Sequence, residues 1–347
     1  MNVSMNDRTV DYAALSGIIF LICIIIVFEL IPTERVNTKT VNQVHLTKNE
    51  DNNGEGHHIS MEMNRDDNME IPLPDSIDYD DIDVTYDIIE KRVNIYFELN
   101  KDNIDVTKVI NTTDKTEGIS YKSENGKLNI EIILNDYYQT KWDVNNGWLY
   151  VRFFPIDRSK PVVVIDPGHG GFDVGANVNN IYEKDINLSV CRKIEEMNAG
   201  SDIQIISTRG EDYYHSVEER AAFANTFSPD LFVSVHINWY QDAGINGTSV
   251  LYNSVNGEAF GTSYWLAGIL QKNVVKSLGT FDMGLEDGKS IYVVRYVNVP
   301  SALVELGFIT NQSDLQILTS EDGKRKSAAG VYEGIRQALK EMGKIQN

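Results

Sequence analysis

The chain has 347 residues, 42% of them hydrophobic and 24% charged, which is length for roughly two domains and a composition that builds folded cores. Its formal net charge is −20 at pH 7 and no long segment is basic. That excludes nucleic acid as a partner, because such binding needs clustered Lys and Arg to neutralise phosphates. The same charge repels anionic polymers at a distance, so an anionic substrate has to be held by specific contacts or by tethering.

In chain order, the first feature is the uncharged run at residues 13–28, AALSGIIFLICIIIVF, which Leu30 and Ile31 extend past Glu29. From Tyr12 to Ile31 it is 20 residues, about 30 Å as a helix, the thickness of a hydrocarbon core. Residues 1–31 are therefore expected to be a transmembrane anchor. A cleaved signal segment is the rival, disfavoured because no small-x-small site follows. Residues 32–74 are polar and acidic, as expected of a flexible tether. His57 and His58 lie there with no partner ligands nearby and are read as solvated. Cys23 and Cys191 are the only two cysteines and have no metal or redox spacing, so Cys191 reads as a small buried residue.

Residues 75–160 change to short alternating runs such as Asp83-Val84-Thr85-Tyr86-Asp87-Ile88 and Leu128-Asn129-Ile130-Glu131-Ile132, separated by Asn and Gly clusters. Period-two alternation between turn residues predicts a small antiparallel β module. Its aromatics Tyr137, Tyr138, Trp142 and Trp148 read first as core or half-buried sheet residues and second as a polysaccharide-binding face.

From residue 161 to 347 the rhythm is strand and helix in alternation. Strands are expected at Val162–Ile165, Ile203–Ile206, Leu231–Val235, Ser249–Tyr252, Ile291–Val294 and Ala302–Val304. Helices are expected over Asn187–Ile194, Val217–Phe227, Ser263–Lys276 and Lys326–Met342. This predicts an α/β domain with a mostly parallel twisted sheet flanked by helices, its chemistry beyond the carboxyl ends of the strands.

Three apolar strands each deliver a polar group there. His169 follows Val162-Val163-Val164-Ile165-Asp166-Pro167-Gly168, His236 follows Leu231–Val235, and Glu305 follows Ala302–Val304. Two His and a carboxylate are an open set for one catalytic Zn2+ ion, with water in the fourth position. If Glu305 is kept free as the base, the carboxylate ligand is Glu183 or Asp185. Asp185 also stands where it could cap the following helix.

At these residues the chain resembles the zinc-dependent N-acetylmuramoyl-L-alanine amidases of the Amidase_3 type, which cut bacterial peptidoglycan. The resemblance runs from about Val162 to Leu339. It is carried by Asp166-Pro167-Gly168-His169-Gly170-Gly171 with Asp173, Glu183-Lys184-Asp185 with Asn187-Leu188, Ser207-Thr208-Arg209, Glu219-Arg220 with Asn225, Asp230–His236 with Asn238, and Val304–Asn311. It implies that His169, Glu183 and His236 hold zinc and that Glu305 is the catalytic carboxylate. Zinc would lower the pKa of its water and polarise the scissile carbonyl, while Glu305 carries the water proton to the leaving amine. Arg209, Arg220 and Asn238 are candidate substrate contacts, the two arginines equally readable as structural ion pairs. Asp166 is expected to cap or brace the loop, as a carboxylate behind a ligating imidazole often does.

Two departures stand out. Family members often carry Arg-Gly before the strand leading to the catalytic Glu, where this chain has Asp282-Met283-Gly284-Leu285. Some also hold an inhibitory helix between the second His and that Glu. Here the intervening residues are accounted for by a strand, a helix and a further strand, so no blocking insertion is expected.

The reading is a single-pass membrane protein with an extracytoplasmic hydrolase facing peptidoglycan and cleaving the amide between N-acetylmuramic acid and L-alanine. The alternatives are a zinc peptidase cutting within the stem peptide and a catalytically idle wall-binding protein. The β module is read as a wall-targeting element.

Overall fold

The computed structural model describes residues 34–36, 68–73, 77, 81–98, 113–124, 126–257 and 259–346. The apolar run expected to be an anchor, the His57-His58 pair and most of the expected tether lie outside these residues. Among the described residues no helix is long and apolar enough to cross a membrane.

The N-terminal body is built from β1 (Glu34–Val36), β2 (Asn68–Pro72), β3 (Ile82–Asp87), β4 (Arg92–Glu98), β5 (Thr116–Glu124), β6 (Lys127–Leu134), β7 (Tyr138–Asn145) and β8 (Trp148–Pro155). They form two antiparallel sheets, ordered β1-β5-β6-β4-β3 and β2-β8-β7. Along β6 and β8 every second residue is buried, because successive side chains point to opposite faces of a strand. The inward set, including Ile95, Phe97, Ile130, Ile132, Leu149, Val151 and Phe153, forms one core with Met69 and Ile71 of β2. The module thus begins inside the span expected to be tether. Met69 and Ile71 alternate with polar neighbours and pair against β8, and two buried apolar side chains suffice to order so short a strand.

The C-terminal body contains β9 (Val162–Pro167), a small hairpin of β10 (Asn177–Val178) and β11 (Ile181–Tyr182), α1 (Glu183–Met197), β12 (Gln204–Ser207), α2 (Val217–Phe227), β13 (Leu231–Asn238), β14 (Thr248–Tyr252), α3 (Ser263–Leu278), β15 (Asp282–Asp287), α4 (Tyr292–Tyr296), β16 (Ser301–Phe308), α5 (Gln312–Thr319) and α6 (Glu321–Glu341). The sheet order is β12-β9-β13-β16-β14-β15. All neighbours are parallel except β14 and β16, so the expected mostly parallel sheet is a mixed one. Val163, Ile165, Val233 and Val235 face a core shared with α1, α3 and α6. Val162, Val164 and Phe232 face a second core containing Phe223 and Phe227 of α2 and Val293 and Val294 of α4. Burial on both faces explains why these strands read as unbroken apolar runs.

The β10–β11 hairpin and α5 were not expected, and two further differences concern the sheet. Ile291–Val294 was expected as a strand, but Tyr292–Tyr296 is one short helix that seats Val293 and Val294 against α2. A four-residue run of β-branched and aromatic residues carries no period long enough to separate the two states. The outermost strand is instead β15, whose sequence DMGLED is largely exposed. An edge strand that faces water keeps charges and so lacks an apolar signature. The residues between β13 and β16 are occupied by elements packed on the sheet, α3 being buried against β14, β16 and α6.

The β module is docked onto the C-terminal body. Ile88 is part of the core formed by α2 and α4, and the Tyr137 ring packs edge-on against Phe223 and Phe227 at 5.4 and 5.1 Å. Asp87 Oδ1 lies 3.1 Å from His215 Nε2, both residues being buried. Gln139 donates to the carbonyl of Ile205 at 3.3 Å. Tyr138 and Trp142 lean on the module's own core and Trp148 is half-buried. Tyr137, Tyr138 and Trp142 are therefore packing residues, and all four rings stay half-buried.

Candidate metal centre and active site

The site occupies the carboxyl ends of β9 and β13 together with the middle of β16. After β9 the chain turns sharply, with Gly168 donating its N–H to the Val235 carbonyl at 3.0 Å. A Cβ on Gly168 would lie 2.3 Å from the His236 ring, so only glycine lets the two segments approach. His169 follows at a φ of 61°, a left-handed conformation that costs a non-glycine residue about 1–2 kcal/mol. Buried cations hold it there. Arg220 donates to the carbonyls of His169 (2.7 Å) and Pro167 (2.8 Å), and Arg209 donates to those of Pro167 and Gly168, both at 3.0 Å.

Glu183 opens α1 and is 3% exposed. Its Oε2 accepts from the Ala176 N–H at 2.8 Å, and its Oε1 accepts from the Ile237 N–H at 3.0 Å and from Asn187 Nδ2 at 3.3 Å. The imidazoles flank it, His236 Nδ1 at 2.9 Å from Oε1 and His169 Nε2 at 3.3 Å from Oε2. The two rings stand edge to face, 4.9 Å apart. One ligand atom from each of His169, Glu183 and His236 lies within 4.8 Å of the others. Two imidazole nitrogens and one carboxylate at that spacing match the donor set of an open tetrahedral zinc site. Asp173 Oδ2 sits 2.8 Å from His169 Nδ1, which orients the ring and leaves Nε2 for the metal.

Electrostatics support the same grouping. Burial opposes charging of His169, but hydrogen bonds and charges from Glu183 and Asp173 outweigh it and raise the imidazole to about 9. Burial would raise Glu183, yet the two imidazoles hold it far below the usual carboxylate range. Glu305 is pushed up to about 7, chiefly by burial, with His236 pulling down and Glu183 and Glu286 adding to the rise. In the sheet Glu305 is directly opposite His236, and its Oε2 is shut from solvent with no hydrogen-bond partner. A carboxyl poised near neutrality beside a metal site is suited to taking and returning a proton.

The remaining expected contacts are placed differently. Arg209 and Arg220 are 1% and 3% exposed, and their donors go to backbone carbonyls and to Asp166. They brace the metal loop and have no face left for substrate. Asp166 does not support an imidazole: it accepts from Thr208, Arg220 and Ser234 at 2.6, 2.8 and 2.7 Å. Although burial works against it, Arg220 and those hydroxyls hold Asp166 at about 2. The carboxylate behind the imidazole is Asp173, four residues after His169. Asp185 is exposed on the first turn of α1 and caps nothing, since Tyr182 occupies the N-cap position. Asn238 turns its side-chain oxygen to the Trp239 N–H at 2.8 Å, closing the chain after β13. Asn187 was not expected, although its i+4 spacing from Glu183 places both on one face of α1.

Comparisons with known proteins point to one family. The sequence profile described as Amidase_3, N-acetylmuramoyl-L-alanine amidase, matches residues 163–337. The uncharacterized protein YqiI of Bacillus subtilis is 40% identical over 174 residues, covering 50% of this chain and 82% of YqiI. The N-acetylmuramoyl-L-alanine amidase LytC of Bacillus subtilis is 35% identical over 173 residues, covering 50% of this chain and 34% of LytC. An N-acetylmuramoyl-L-alanine amidase structure from Clostridium difficile 630 superposes at 32% identity and a TM-score of 0.49, covering 52% of this chain and 98% of that one. The chain belongs to the Amidase_3 family of N-acetylmuramoyl-L-alanine amidases.

Proposed function

We propose that the chain hydrolyses the amide bond between N-acetylmuramic acid and L-alanine in peptidoglycan, with His169, Glu183 and His236 holding one Zn2+ and Glu305 moving the proton. The observation that carries this is the meeting of those three ligand atoms within 4.8 Å, with Glu305 in register beside His236. When bound, zinc supplies Lewis-acid polarisation and lowers the pKa of water. The protein's own groups do the rest. Asp173 holds His169 in the tautomer that presents Nε2, and the Glu183 carboxylate is fixed by three N–H donors. Glu305 takes a proton from the attacking water and hands it to the leaving amine of L-alanine, so that the amine departs neutral. Burial around Glu305 makes both transfers feasible near neutral pH, because its carboxyl is no longer a strong acid.

The substrate lies outside the cytoplasmic membrane. On this reading residues 13–28 anchor the chain and the catalytic body faces the wall, which keeps an acidic enzyme near a polymer to which its charge gives no attraction. The β module belongs to the catalytic body as a docked element, so any wall-targeting role is exercised from a fixed position. The test is mass spectrometry of purified peptidoglycan digested with the protein, with chelator, and with zinc restored. New L-alanine amino termini that vanish with chelator and return with zinc are expected; new termini of diaminopimelate or D-alanine would overturn the assignment.

A further inference from the structure

Strand register sets three side chains in one row, His236 on β13 opposite Glu305 on β16, and Glu305 opposite Ser249 on β14. Directly paired residues on neighbouring strands project to the same face with Cβ atoms about 5 Å apart. Ser249 therefore stands on the far side of Glu305 from the metal ligands. It is fully buried, and its Oγ has no hydrogen-bond partner. Glu305 Oε2 is also buried and unpartnered. Each such atom costs stability, and buried polar groups in folded proteins are nearly always satisfied. The adjacent Thr248 shows that β14 can satisfy a hydroxyl: it donates to the Leu306 carbonyl at 2.9 Å and pairs with Thr280 at 2.6 Å. Two orphaned atoms on residues paired in register thus mark a place on β14 and β16 where stability is given up.

We infer that Ser249 is a positioning residue for the reaction, its hydroxyl donating a hydrogen bond to the Glu305 carboxylate in the working site. With one carboxylate oxygen engaged by Ser249, the other is aimed toward the metal side, where the attacking water has to be. This rests on the reading of Glu305 as the proton carrier. It also explains why a serine occupies a fully buried strand position between Thr248 and the apolar Val250 and Leu251.

Kinetics of Ser249→Ala and Ser249→Thr on purified peptidoglycan, with Glu305→Ala as control, test it alongside melting of the metal-free proteins. Ser249→Ala should lower kcat at least tenfold with KM within twofold of wild type and with unchanged zinc stoichiometry. Ser249→Thr, which keeps the hydroxyl, should recover most of that loss. Metal-free Ser249→Ala should melt at or above the wild-type temperature, because an unpartnered hydroxyl is removed; a structural serine would show the opposite. A wild-type kcat for Ser249→Ala, or a lowered melting temperature with parallel loss of zinc, would overturn the inference. If Glu305→Ala is inactive while Ser249→Ala is normal, the role of Ser249 alone falls. If Glu305→Ala keeps full turnover, the proton-carrier reading falls with it.

Discussion

Zinc binding at this site has to compete with a proton. Without metal, Glu183 and Asp173 hold His169 at about 9, so at pH 7 its protonated form exceeds the neutral form by roughly 100:1. A zinc ligand must be neutral imidazole. The apparent affinity should therefore fall about tenfold per pH unit below 9, or roughly a hundredfold (about 2.7 kcal/mol) between pH 8 and pH 6. Calorimetric titration in buffers of different ionisation enthalpy should count close to one proton released per zinc at pH 7. Affinity constant within threefold across that range, with no proton release, would refute the reasoning. The same groups act in the other direction on the metal-free fold. His169, raised above its ordinary 6.5, contributes its full stability below that value and loses it as pH rises through 9. Glu305, raised from 4.5 to about 7, contributes fully below 4.5 and loses it as pH rises through 7. The gap between zinc-loaded and metal-free melting temperatures should accordingly widen from pH 6 to pH 8.

Glu305→Gln should reduce kcat by about 10²–10⁴ while zinc content stays stoichiometric, and undiminished turnover would remove Glu305 from the proton path. Asp173→Asn should weaken zinc about 10- to 100-fold in chelator competition, because His169 loses the acceptor that fixes its ring; unchanged affinity would show that the hydrogen bond is incidental. Arg220→Met strands the buried Asp166 charge and three carbonyls, and should cost about 3–5 kcal/mol in urea unfolding. A raised KM with unaltered unfolding would instead return Arg220 to the substrate. Tyr137→Ala removes the edge contacts to Phe223 and Phe227 and should cost about 2 kcal/mol, with faster proteolysis between the module and β9; equal stability would mean that the module is not docked through this ring.

The two histidine ligands were legible because each comes at the end of an apolar run buried on both faces, whereas Glu183 opens α1 after a half-buried hairpin and was separated from Asp185 only by the family resemblance. An unbroken run such as Val162–Ile165 ends abruptly when the sheet ends, and the first polar group beyond it stands at the sheet rim. Glu305 was legible in the same way, although β16 continues to Phe308 and the residue lies within the strand. What stayed hidden depends on burial or on distant partners. Arg209 and Arg220 carry the charge of substrate contacts, and only their burial shows that they serve carbonyls. Asp166 drew attention by its place at a strand end, but a carboxylate supports an imidazole by direction of approach, which gave that role to Asp173. The edge strand β15 was missed because its exposed face retains Asp282, Glu286 and Asp287. Docking of the module rests on pairs such as Tyr137 with Phe227, whose separation in sequence no local pattern encodes.

That docking bears on the metal centre itself. Asp87 of the module sits 3.1 Å from His215; the His215 carbonyl accepts from Arg220 Nε at 2.8 Å; and Arg220 Nη2 donates to the carbonyl of His169 at 2.7 Å. Four residues thus join the β module to the strained first ligand. Removing residues 32–160 would bare Phe223 and Phe227 and leave His215 without its carboxylate, so a change in wall cutting after such a deletion would mix lost location with a loosened site. Substitutions at exposed positions of the module, such as Tyr96 on β4, leave the Asp87–His215 contact in place and separate the two effects. An altered cutting pattern from Tyr96→Ala with unchanged kcat on soluble fragments would be evidence for targeting by the module, and a wild-type pattern would be evidence against that face.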